Sequence, residues 1–284
     1  MTQTWHDLGH TASLSGLYLK AASKRKISGD RLPANGLRCS ISVDERKLAA
    51  YRKLCFFSND GRLPPTWPHV MAFALQLQLL TAKDFPFPLL GLVHLSNRIR
   101  VLRPLGGISR LRFSVSVDNL QPHEKGATFD LRTDAEDSLG LIWSESSRML
   151  CRGMQLEGQP PAVELPEPLD MSELTRWYAD SDIGRHYARI CGDYNPIHLS
   201  AATAKLFGFP TAIAHGMWSK AVAMAHLRGH LPRSGYEVAV DFHKPVRLPN
   251  EVILDCSAEA PEGQFRLSGH GGLVHMQGQW TTAR

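Results

Sequence analysis

The chain has 284 residues, of which 43% are hydrophobic and 21% charged, with a formal net charge of +5. That composition supports one large core or two of about 140 residues each and excludes disordered and fibrous architectures. The apolar content is spread out, and even the stretch from Val70 to Leu80 is interrupted by Gln76 and Gln78, too short for a membrane span.

The opening segment MTQTWHDLGH has neither a basic region nor an apolar run, so export is not expected and a cytoplasmic location is. Cys39, Cys55, Cys151, Cys191 and Cys256 are odd in number and form no CxxC pair, which fits reduced thiols. The run Lys24-Arg25-Lys26 lacks interleaved aromatics and reads as a solvated loop, so no nucleic-acid partner is expected.

Tyr51–Cys55 reads as the end of a short helix, and Trp67 to about Leu80 as a long helix that is apolar nearly all round. Period-2 alternation follows at Leu111–Val117, Thr128–Leu131 and Gly140–Trp143. Residues 158–169, rich in proline, break helix and central strand alike and read as a linker.

Beyond the linker the pattern returns. Tyr187–Cys191 repeats Tyr51–Cys55, AHGM at Ala214–Met217 repeats PHVM at Pro68–Met71, and a second long helix runs from Gly216 to about Leu227. His69 to Val101 spans 32 residues and His215 to Val246 spans 31, which pairs the basic stretches NRIRVLRP and HKPVRLP as equivalent strands. Strands at Ile253–Ala258, Gln264–Leu267 and Gly272–His275 complete the second unit. Helices followed by runs of strands predict an α+β fold, with two units (1–157 and 170–284) packed edge to edge as a pseudo-dimer.

One asymmetry points to chemistry. Cys55 and His69 are 14 residues apart, while Cys191 and His215 are 24 apart. The extra residues surround Gly192-Asp193-Tyr194-Asn195-Pro196-Ile197-His198, which the first unit lacks. A helix from Ile183, capped by Ser181 or Asp182 and left through Gly192, places Asp193 just past its end. Asn195 before Pro196 is biased to extended geometry, and Ser200 is placed to cap a helix from Ala201 to about Phe207. Asp193 and His198 thus converge on a rigid loop, as a general acid–base pair sharing one water requires.

G-D-x-N-P-x-H followed by A-H-G-M resembles the signature of the MaoC-like (R)-specific enoyl-CoA hydratases and 3-hydroxyacyl thioester dehydratases, and LPPTWPHVMAF resembles the degenerate repeat of their two-hot-dog members. The resemblance implies a double hot-dog fold, each long helix wrapped by an antiparallel sheet. It also implies Asp193 and His198 as catalytic residues, Asn195 as a positioning residue, and the Gly216 N–H as donor to the thioester oxygen. A hydro-lyase of fatty acid metabolism follows, acting on acyl-CoA or acyl carrier protein thioesters without metal or redox cofactor.

His215 and Met217 flank that glycine as substrate-binding candidates. Lys244 and Arg247, with Arg98, Arg100 and Arg103, are either contacts for coenzyme A phosphates or a solvated sheet edge. Met71, Phe73 and Leu75 line an acyl tunnel or fill core. His226 and His230 have i, i+4 spacing but Gly229 intervenes and no HExxH glutamate is present, so no metal site is expected there. His270 and His275 are read as lying on opposite faces of one strand. The fused pair makes a monomer or a homodimer feasible. Competing readings are a non-catalytic acyl-binding subunit, which the intact Asp193, Asn195 and His198 argue against, and a thioesterase.

Overall fold

A computed structural model describes residues 3–162, 167, 169–257 and 262–282. Parts of the expected linker (163–166 and 168), and Ala258 of an expected strand, lie outside the described residues. In chain order the elements are β1 (Thr4–Leu8), α1 (Leu14–Ser23), β2 (Asn35–Ser42), α2 (Glu45–Leu54), α3 (Trp67–Leu80), β3 (Leu92–Val101), β4 (Arg110–His123), β5 (Gly126–Asp137) and β6 (Gly140–Arg152). The second half has β7 (Met171–Ala179), α4 (Ile183–Cys191), α5 (Ala201–Lys205), α6 (Gly216–His226), β8 (Tyr236–Phe242), β9 (Asn250–Ser257), β10 (Gly263–Ser268) and β11 (Val274–Thr282).

All strands join one 11-stranded sheet in the order β1-β2-β4-β5-β6-β3-β8-β11-β10-β9-β7. Removing β1, the order within one half is the mirror of the other, and the two meet where β3 pairs antiparallel with β8, from Ser96↔Asp241 to Val101↔Tyr236. The protein is therefore an α+β double hot-dog. Each half wraps its sheet around a helix that is buried on nearly every side: Trp67, Val70, Ala72, Leu75 and Leu79 of α3 are buried, and so is every residue from Met217 to Ala225 of α6. α2 and α4 pack against each other across the pseudo-symmetry, with the Tyr51 and Tyr187 rings 6.1 Å apart.

A buried lysine ties the halves together. Lys220 of α6 donates from Nζ to the Asn97 carbonyl on β3 (3.0 Å) and to the Val238 carbonyl on β8 (3.0 Å).

Several expectations need correction. Val246 is not in a strand: β8 ends at Phe242, and HKPVRLP is the loop after it, so Lys244 and Arg247 do not mirror Arg98. β2 and β7 precede the helices in each half, and β1 and α1 precede both; none of these is evident from alternation. Gly272 and Leu273 lie before β11, and His270 sits in a 3-10 turn, so strand parity does not relate it to His275. Met71 and Leu75 are core, whereas Phe73 faces a cavity.

Candidate active site

The extra segment of the second half forms a short 3-10 turn (Pro196–His198) and α5 between α4 and α6. Gly192 ends α4 in the left-handed region (φ 86°), its N–H returning to the Ala188 carbonyl at 2.8 Å. Asp182 occupies the position before α4 but its side chain makes no capping bond, contrary to the expected cap. Just past Gly192, the Asp193 carboxylate accepts the Asn195 N–H at 3.1 Å, closing a turn that the extended Asn195 then leaves.

The turn is pinned on three sides. Ser200 caps α5 by accepting the Thr203 N–H (3.1 Å), while the Thr203 hydroxyl donates to the Pro196 carbonyl (2.7 Å). The Ile213 N–H donates to the Ile197 carbonyl (3.1 Å). From beneath, Gly184 of α4 lies against the loop so closely that a Cβ there would stand 2.1 Å from the His198 carbonyl oxygen.

His198 Nδ1 lies 2.8 Å from the Ile213 carbonyl. A carbonyl only accepts, so Nδ1 carries the proton and Nε2 presents a lone pair. By the same logic His215 Nε2, 3.0 Å from the Asp193 carbonyl, is a donor. The two imidazoles stack with centroids 3.7 Å apart. Burial, and then His198, push the His215 pKa down to about 3. Burial also holds His198 below its ordinary value, although Asp193 and the Ile213 carbonyl oppose this. For Asp193 burial acts upward, but His215, His198, the Asn195 N–H and the Tyr18 hydroxyl outweigh it, leaving the carboxyl below the usual range. At neutral pH the site thus presents a carboxylate and neutral imidazoles.

Side-chain donor atoms of Asp193, His198 and His215 lie within 4.8 Å of one another, and among the described residues this is the group with metal-ligand chemistry. His215 Nε2 is committed to the Asp193 carbonyl and its Nδ1 is buried, which leaves the Asp193 carboxylate and the His198 ring to hold a water in the cavity. Two hydrogen bonds of about 2.8 Å each span that gap through one water.

Gly216 opens α6, and the first N–H groups of a helix have no partner within it. A Cβ at Gly216 would meet the Phe242 ring at 2.9 Å, so only glycine fits beneath that ring. Met217, Phe73, Gln76 and Leu80 line the adjoining cavity of about 720 Å3, to which both halves contribute. Lys244 lies at its lining, with Lys125 and Arg152 from the first half. Arg98 and Arg100 instead pair with Glu237, Arg103 with Asp137, and Arg247 is exposed; none of these lines the cavity. His226 stacks on Trp177 rather than facing the site.

Tyr18 is the residue that motif spacing misses. Its hydroxyl lies 3.3 Å from Asp193 Oδ1 and 3.1 Å from the Gly192 carbonyl, and accepts the Tyr194 N–H at 2.7 Å. It comes from α1, which Ser13 starts by capping Gly16 N–H. That cap and the helix it opens are the available signal, but they do not reveal a contact 175 positions along the chain. Replacing Tyr18 by Phe is expected to lower kcat about tenfold with KM little changed, as steady-state kinetics on the purified protein will show.

A family model described as "MaoC like domain" matches residues 156–268. The 3-hydroxyacyl-thioester dehydratase X of Mycobacterium tuberculosis is 31% identical over 250 residues, covering 86% of this chain and 84% of that protein. The peroxisomal enoyl-CoA hydratase 2 of Arabidopsis thaliana is 27% identical over 196 residues, 63% of this chain and 61% of its own length. Among solved structures, HtdX of Mycobacterium tuberculosis superposes with a TM-score of 0.76 at 28% identity, over 87% of this chain and 99% of that one. With a relative at this identity matched along most of both chains, and with the motif loop and helix start in place, the chain belongs to the MaoC-like dehydratase family of hydro-lyases.

Proposed function

We propose that the protein catalyses reversible hydration of trans-2-enoyl thioesters to (3R)-3-hydroxyacyl thioesters. The observation that carries this reading is the convergence of the Asp193 carboxylate and the His198 imidazole in the cavity lining, with side-chain atoms of the two within 4.8 Å, beside the N–H groups that open α6. One water donates a hydrogen bond to each member of the pair. As its oxygen attacks C3, one member takes its proton and the pair returns a proton to C2, so that one water is added and both groups end as they began.

The Gly216 N–H donates to the thioester oxygen as negative charge develops there, a contribution of about 3 kcal/mol for one such donor. Asn195 holds the loop through Asp193 and takes no proton, since an amide does not titrate. Lys244 is assigned to the carrier phosphates, joined by Lys125 and Arg152. The working division of the chain is 1–157, 158–169 and 170–284, and the fused halves allow a monomer as well as a homodimer. Five buried, unpaired cysteines among the described residues support a reducing, cytoplasmic setting.

The pH profile tests the protonation states. The active form has His198 neutral and Asp193 ionised, and both pKa values are depressed. kcat/KM is therefore expected to stay level from pH 9 down to about 6.5, the ordinary imidazole value, and to fall only at lower pH. An acid limb centred above pH 7 sinks the assignment of His198 as a buried neutral base.

A further inference from the structure

A second set of polar side chains faces the same cavity from the first half. His69, Phe73, Gln76 and Leu77 of α3 all line it, at the i, i+4, i+7 and i+8 positions of one helical face. Phe73 abuts the catalytic loop, for a Cβ at Gly192 would stand 3.4 Å from its ring. His69, the repeat counterpart of His215, lies one turn further on, its ring centroid 6.5 Å from that of Phe73.

His69 Nδ1 is 3.0 Å from Glu145 Oε2. The buried Glu145 carboxylate also accepts from Asn97 Nδ2 (2.6 Å) and Gln76 Nε2 (3.2 Å). Burial acts to raise the Glu145 pKa, but His69, Asn97 and Lys220 outweigh it and keep the group ionised at neutral pH. A carboxylate only accepts, so His69 carries a hydrogen on Nδ1, and its Nε2 is left for the cavity that the residue lines.

His94 adds a second unsatisfied group. A bulge in β3 between His94 and Ser96 breaks the strand alternation and places His94 in the cavity lining. Its ring packs 5.0 Å from Phe242, the ring that covers Gly216, and its Nε2 is buried without a partner. Burial and the neighbouring His69 push its pKa down to about 4, so the imidazole is neutral. Ser147 lies in the same lining.

A plain alkyl chain laid against these groups removes their water and gives no hydrogen bond in return, which native interiors avoid. A wall with two imidazole nitrogens that have no hydrogen-bond partner among the described residues, His69 Nε2 and His94 Nε2, matches a hydroxyl, which donates once and accepts as well. Resting on the hydro-lyase reading above, we propose that His69 and His94 form a subsite for a hydroxyl group carried on the acyl chain beyond the reacting carbons. The chain hydroxyl, able to donate and to accept, pairs with His69 Nε2 and His94 Nε2. The substrate class is then a hydroxylated enoyl thioester rather than a plain one.

The test compares trans-2-enoyl-CoA thioesters of matched length, one plain and the others with a hydroxyl at successive positions along the chain. In the native protein at least one hydroxylated chain is expected to exceed the plain chain tenfold or more in kcat/KM and in affinity by calorimetric titration. His69→Asn keeps an N–H toward Glu145 but removes Nε2, and is expected to bring the ratio below about threefold. His94→Phe reads the same ratio from the other side. Equal or better binding of the plain chain throughout the series overturns the subsite, whatever the turnover. Tighter binding of a hydroxylated chain with no hydration of either supports the subsite and overturns the hydration reading alone.

Discussion

Asp193→Asn is expected to lower kcat by about 10²–10⁴-fold while leaving the melting temperature almost unchanged. The amide oxygen still accepts the Asn195 N–H now bound by Asp193 Oδ1 at 3.1 Å, so the turn survives while the charge and the base are lost. His198→Asn makes the complementary cut. Its amide nitrogen can take the place of Nδ1, 2.8 Å from the Ile213 carbonyl, but nothing replaces Nε2. A loss of similar size is expected, and the double variant is expected to lose little more, because the two groups act on one water. Single-turnover hydration measured beside thermal unfolding separates chemistry from stability. A tenfold or smaller loss in both single variants removes the pair from the mechanism.

Gly184→Ala is expected to abolish most activity although it touches no substrate. Alanine has the higher helix propensity, by up to about 1 kcal/mol in a helix interior and less in the first turn where Gly184 lies, so propensity alone predicts a more stable protein. The structure predicts the reverse, because the new Cβ would fall 2.1 Å from the His198 carbonyl oxygen, a backbone atom fixed by the surrounding turn. Relief requires α4 and the motif loop to move apart, which displaces His198 from Asp193. Misplacement on this scale can cost about 10²-fold in rate. A Cβ at Gly229 would meet nothing within 4 Å, so Gly229→Ala is the control, with activity expected to be retained. Unchanged kcat in Gly184→Ala, with a raised melting temperature, contradicts the packing described for this loop.

What could be read from the residues follows from how local the signal is. The helices α3 and α6 are apolar nearly all round, and the turn from Gly192 to His198 is set by one glycine, one proline and two short side-chain caps, so both are written in a few consecutive residues. Edge strands are not. β7 alternates poorly because it has one neighbour and faces solvent along much of its length, and β1 lies at the other edge. Arg98 and Arg100 share the strand face opposite Asn97 and Ile99, which alternation implies, but their partner Glu237 belongs to the other half. Tyr18 and the His69–Glu145 pair depend on contacts between distant segments, for which no spacing rule exists. The motif loop and its glycine are therefore legible in the residues, while the side chains that buttress the loop and those that shape the far cavity wall are not.

Addition of water to an enoyl thioester at the Asp193–His198 pair is tested most directly by following enoyl absorbance. Purified protein is added to trans-2-enoyl-CoA substrates of graded length, with and without chain hydroxyls, and the product is then resolved by chiral analysis. Loss of absorbance with formation of the (3R)-3-hydroxyacyl thioester, and no release of free thiol, is the expected result. Release of free coenzyme A without hydration, or formation of the (3S) product, contradicts the account.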